Sequence, residues 1–177
     1  MKVGSVAPEK TVRKVREMND LSLYFANNFI AWGLREGTPL TPLRLQKLLY
    51  LYYARHMHRW GVMPFINSYF EKWPKGPVLR DVYETLKPYG GGQIDREIRD
   101  IRGDINRIVP DDEHFMPVFH EVTGEFGNLS STELVRLTHD GPPGTIYETA
   151  WAKAPGMGYP LHLADIKEDG RVLFGGA

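Results

Sequence analysis

The stretch that decides the fold is Pro39–Gly61, PLTPLRLQKLLYLYYARHMHRWG. Thr41 is placed to cap a helix, and Pro42 takes the first helical position, where its missing N–H costs nothing. Gly61 is placed to end the segment. Leu40 and Leu45 are spaced as a hydrophobic staple. Leu45, Leu48, Leu49, Tyr52 and His56 form a broad apolar stripe, so the pattern predicts a central helix.

On its N-terminal side, Leu21, Phe25, Phe29 and Trp32 recur at helical spacing, with Asp20 as cap and Gly37 as stop. Residues 1–19 are polar and without a clear period, and read as a loosely held arm. On the C-terminal side, Phe65–Trp73 is short, aromatic and partly alternating, which suits a strand. Pro77 then opens a helix carrying Val78, Leu79, Val82, Tyr83 and Leu86, closed by Pro88 and Gly90–Gly92. Ile94, Ile98, Ile101, Ile105 and Ile108 predict a further amphipathic helix, weakened by Gly103 and ended by Pro110.

Phe115, Val118, Phe119 and Val122 suggest another helix, and Ser130 with Glu133 make a capping box for the next. From Gly141 the chain is rich in Gly and Pro, with one helical turn around Trp151. The tail LHLADIKEDGRVLFGGA reads as two extended pieces, a C-terminal hairpin around Lys167–Gly170. The expected fold is mainly α: a compact helical bundle over 20–154, with a short strand at 65–73 and a divergent tail over 155–177.

Composition narrows the function. The 177 residues carry 22 basic and 22 acidic side chains, so any basic face is local, and a dedicated nucleic-acid binder is disfavoured. There is no cysteine, which removes disulfides, zinc–thiolate sites and cysteine nucleophiles. No apolar run spans a bilayer and no signal-type segment opens the chain, so it reads as soluble and cytoplasmic.

Chemistry-bearing patterns are weak. His56 and His58 point to different helix faces, and Glu113, His114, His120 and Glu121 match no zinc-helix spacing. Ser130, Ser131, His139 and Asp140 contain the types of a triad, but a helix N-cap accounts for the serines and no nucleophile elbow is present. The glycine loops GGGQI and GMG lack a Walker lysine. The expectation is no catalytic residue, no cofactor and no metal.

Two blocks, LTPLRLQKLLYLYYARHMHRWG and EKWPKGPVLRDVYETLKPYG, followed by LSSTELVRLTHDGPP, together resemble the Panacea domain family of SocA-like antitoxins and phage-associated proteins. The resemblance covers about Leu23 to Pro143. Its signature falls on Thr41, Leu45, Gln46, Lys47, Leu48, Tyr50, Trp73, Gly76, Pro77, Val78, Tyr83, Leu137, Thr138 and His139. It departs after Thr138-His139, where Pro143-Gly144 replaces the usual Pro-Trp pair, and again in the C-terminal segment.

The resemblance implies a helical domain that binds proteins rather than a catalyst. It implies an antitoxin of a two-gene system that neutralises a protein toxin by direct contact, small alarmone synthetase-like enzymes being one such toxin class. The alternative is a proteolytic adaptor, or a phage-encoded modulator that binds a host protein. Trp73, Gly76 and Pro77 read mainly as a structural corner. Gln46, Lys47 and His139 belong either to a functional surface or to a buried polar network. The expected partner contacts are Arg44, Lys47, Tyr53, Arg55, Tyr147 and Trp151, as aromatic and arginine anchors.

Overall fold

The helix expected between Pro42 and Gly61 is the axis of the structure, and the other elements are arranged around it. The computed structural model describes residues 21–66, 68–108 and 112–175. The expected arm 1–19, the Asp20 cap and the Pro110 stop lie outside them. In chain order the elements are α1 (Leu21–Arg35), α2 (Pro42–Trp60), β1 (Phe70–Trp73), β2 (Gly76–Leu79), α3 (Arg80–Leu86) with a 3-10 turn Lys87–Tyr89, α4 (Phe115–Phe126), α5 (Ser131–Asp140), α6 (Ala150–Lys153) and α7 (Leu163–Leu173).

The ends of α2 follow the local chemistry. The Thr41 hydroxyl accepts the Arg44 N–H at 3.3 Å, and Gly61 takes a left-handed φ of 70° while donating to the Met57 carbonyl. The middle is less ordinary. Every residue from Leu45 to Ala54 is buried, on all sides of the helix. A helix buried all round is a core element rather than a surface stripe. Helices α1 and α4 cover one side with Phe25, Phe29, Phe115 and Phe119, which meet Tyr52 or one another at ring distances of 4.9–6.1 Å.

The expected short strand is present within 65–73, and it gains a partner strand. Only Phe70–Trp73 is strand, and it pairs antiparallel with β2 in the register Phe70↔Leu79 to Trp73↔Gly76. Pro77 therefore sits in a strand, and α3 starts at Arg80. The run Pro160–Leu161 lines the other side of β1, with Leu161 N–H donating to the Phe70 carbonyl at 2.8 Å.

Two expected elements are replaced. The isoleucine run 94–108 contains no helix. Gly103 has a φ of 85°, which breaks helical geometry, and the Asn27 and Asn28 side chains of α1 take up the backbone of Ile98, Asn106 and Ile108 at 2.7–3.0 Å. Asparagine amides here do the work of a neighbouring strand. Ile94 is buried, but Ile101 is 93% exposed. The expected C-terminal hairpin is instead α7, a helix laid along α2. Gly170, read as a turn, is where the two helices meet: a Cβ there would lie 2.0 Å from the Ala54 carbonyl oxygen.

A pair of glycine substitutions tests this packing. Gly170→Ala forces α7 off α2 and should lower unfolding free energy by about 3 kcal/mol or more. Gly124→Ala lies within α4 with open space around it, and should raise stability by about 0.5–1 kcal/mol. Urea denaturation of both variants measures the contrast.

Candidate functional site: a polar corner around the central helix

Burying α2 on all sides obliges its polar residues to find partners inside the protein. Gln46 meets the open edge of β2, where its amide nitrogen donates to the Leu79 carbonyl at 3.0 Å and its oxygen accepts the Leu79 N–H at 2.9 Å. One side chain thus replaces a missing strand. Lys47, with no exposed surface, donates from Nζ to the Pro77 carbonyl at 2.7 Å. Burial pushes its pKa down to about 7.

The hairpin tip closes over that ammonium. Gly76 has a φ of 100°, and a Cβ there would lie 2.8 Å from Lys47 Cε, 2.9 Å from Nζ and 3.0 Å from Thr138 Oγ1. Glycine is required by both conformation and space. Thr138, fully buried on α5, returns its hydroxyl to the Leu134 carbonyl at 3.1 Å. Lys47, Gly76, Pro77 and Thr138 are therefore one unit drawn from three elements.

His139 and Trp151 extend it. Their rings stack at 3.7 Å and 10°, and the Trp151 indole N–H donates to the Trp73 carbonyl at 2.8 Å. Lys72 lies 4.5 Å from the Trp151 ring centre and donates to the Ala154 carbonyl at 2.9 Å. Burial, and then the neighbouring Lys47 charge, lower the pKa of His139. Trp73 packs on Tyr83 at 4.7 Å and donates to Glu71, which Arg80 grips through both oxygens at 3.0 and 2.7 Å.

A second anchor lies further along α2. The buried Asp169 carboxylate of α7 accepts the hydroxyls of Tyr50 and Tyr147 and the Ala150 N–H. It ties α2, the loop before α6, and α7 together. Burial pushes the Asp169 pKa up, and burial with the Asp169 charge holds the Tyr50 phenol well above its usual value.

The expected partner contacts do not assemble on one free face. Lys47 and Tyr53 are not exposed: Tyr53 lies in the core with its ring 5.0 Å from Phe65 and 5.4 Å from Phe70. Arg55 grips Glu121 at 3.0 and 2.6 Å, and Arg44 donates to the Gly127 carbonyl at 2.7 Å. Tyr147 is held by Asp169 and Trp151 by the corner. Asp169, Glu71 and Lys72 were missed, since nothing local marks them. Of the signature, Thr41 caps α2, Leu45, Leu48 and Val78 are buried, and Leu137 packs against the core.

Ser130 and His139 do not form a catalytic pair. The Ser130 hydroxyl accepts the Glu133 N–H at 3.2 Å as the α5 cap, nine residues and about 13 Å along the helix from His139. Among the described residues, no group of three or more His, Asp or Glu could hold a metal, and no helix is long and apolar enough to cross a membrane.

What the geometry describes is a scaffold locked from within, and the comparisons place it. The family model described as "Antitoxin SocA-like, Panacea domain" matches residues 45–143. "Antitoxin SocA" of Caulobacter vibrioides (strain NA1000 / CB15N) is 33% identical over 134 residues, covering 72% of this chain and 69% of that protein. No solved structure matches. The chain belongs to the SocA-like Panacea antitoxin family. Helix α7, with Asp169, lies beyond the residues the family model matches.

Lys47 gives a pH test. Its folded pKa is depressed, so between about pH 7 and pH 10 the unfolded chain holds a proton that the folded chain lacks. Stability then rises with pH, by up to about 1.4 kcal/mol per pH unit from this group. Below about pH 7 that gain is absent. Above pH 10 the trend reverses, because Tyr50, Tyr52 and Tyr53 resist ionisation only when folded. Urea melts at pH 7.5 and 9.5 should show the rise in the native chain and a flatter response in Lys47→Met. Equal slopes would mean that Lys47 stays charged in the fold.

Proposed function

We propose that this chain is the antitoxin of a two-gene toxin–antitoxin system, acting in the cytoplasm by binding and blocking a protein toxin. The observation that carries the reading is where the signature residues go. Gln46, Lys47, Gly76, Pro77 and Thr138 are consumed in holding β2 to α2 and α5. Family membership and a relative named as an antitoxin support the toxin partner. A small alarmone synthetase-like enzyme is one toxin class that suits it.

A scaffold of this kind recognises its toxin through residues that the framework does not use. Binding energy should then concentrate in a few partly exposed aromatic and arginine side chains. On the helical side these are the outer edges of Arg44 and Arg55, and beyond α5 those of Tyr147 and Trp151. Their internal bonds hold them in place, which lowers the entropy lost on binding.

Co-expression with the product of the adjacent toxin gene should restore growth, and the two proteins should elute as one complex in size-exclusion chromatography. Rescue that needs a host protease, with no complex isolated, would establish the adaptor mechanism instead. Arg44→Ala should weaken the complex at least about tenfold, a loss of roughly 1.4 kcal/mol, if it is an anchor. A thermal melt of the free variant separates lost binding from lost fold.

A further inference from the structure

A cleft and a knob lie close together around the end of α5. Phe126, Leu129, Leu137 and Pro143 line a cleft of about 290 Å³ between the end of α4 and α5, with Glu133 and Arg136 on its rim. The Glu133 carboxylate is spent on Ser130, accepting its N–H and its hydroxyl at 2.8 Å. Among the described residues Arg136 has no ion pair, so the cleft is apolar inside and cationic at its lip.

The knob stands in the loop between α5 and α6, where Ile146 is fully exposed. Its neighbours are tied down. The Thr145 hydroxyl donates to the Pro142 carbonyl at 2.7 Å, the Tyr147 hydroxyl to Asp169, and the Thr149 hydroxyl to the His139 carbonyl at 2.7 Å. An apolar side chain held out in water by a fixed loop loses little entropy on docking. Glu148, two residues on, is exposed and has no ion pair among the described residues. Lys153, the cation whose field it shares, pairs instead with Asp165 at 3.0 Å.

Each feature presents what the other lacks: an apolar cleft with an unpaired cation, and an apolar knob with an unpaired carboxylate. Pro143 lines the cleft, and three residues of chain separate it from Ile146 by at most about 11 Å. The full exposure of Ile146 means that it does not fill the cleft of its own molecule. A two-fold axis beside this loop brings the knob of each molecule to the cleft of the other, and the contact closes at two copies.

We propose that this chain pairs with a second copy of itself through this face. Ile146 of each copy enters the Phe126–Leu129–Leu137 cleft of the other, and Glu148 of each meets Arg136 of the other. The pairing is independent of the toxin reading and needs no other protein.

Sedimentation equilibrium of the full chain, without toxin, should show a dimer at micromolar concentration that dissociates on dilution. Ile146→Asp should weaken self-association at least about tenfold. Its thermal melt should be unchanged, because the side chain is fully exposed. Arg136→Glu alone and Glu148→Arg alone should each weaken it by about as much, since the two-fold axis puts two like-charge contacts into every dimer. The two single variants mixed in equal amounts should then form a mixed dimer, in which both contacts again join opposite charges. No effect confined to one chain produces that rescue. A native chain that stays monomeric throughout the micromolar range, or a mixture no more associated than its components, would overturn the proposal. So would protection of Ile146 that appears only when toxin is added, which assigns the face to the toxin.

Discussion

The structure depends on the complete burial of one helix. From Leu45 to Ala54, α2 has no face toward water, so its polar side chains look for partners inside the protein. Gln46, Lys47 and Tyr50 find them, while the Tyr52 hydroxyl has none among the described residues. Leaving a buried amide or ammonium unmatched costs several times what the matched bond contributes. Gln46, Lys47 and Tyr50 therefore set the positions of their partners. Gln46 and Lys47 dictate where β2 runs, and Tyr50 dictates where Asp169 and α7 dock.

That constraint explains why a two-stranded sheet persists in a helical protein. A lone hairpin is marginal in water, and the outer edge of β2 would invite other strands. Here Gln46 occupies that edge, and Pro160–Leu161 lines the outer side of β1. A partner that works by adding a strand finds no vacancy at either place. At the hairpin edges only side chains remain open to contact.

The corner also shows what the polar signature residues do for the fold. His139 stacks on Trp151, Trp151 bonds to the hairpin turn, and Lys72 bridges hairpin and α6. Removing one member leaves a buried group without its partner, so these positions constrain one another.

What the sequence determined by itself was local. Thr41, Pro42 and Gly61 specify the ends of α2, and Ser130 with Glu133 the start of α5, because capping bonds span three or four residues and need nothing else. The mainly helical class, the family and the corner at Trp73–Pro77 were legible for the same reason: they rest on short blocks in order. Tertiary structure decided the rest. The isoleucines of 94–108 have helical spacing, yet Asn27 and Asn28, about seventy to eighty residues away in the chain, offer their backbone a better match. The tail looks extended because Gly170 resembles a turn, but that glycine is needed where α7 crosses Ala54. Tyr53 reads as a surface residue, and Lys47 as either surface or buried network, because period alone shows one buried stripe. Whether the opposite face meets water or another helix is set by distant segments, through long-range packing that no local pattern encodes.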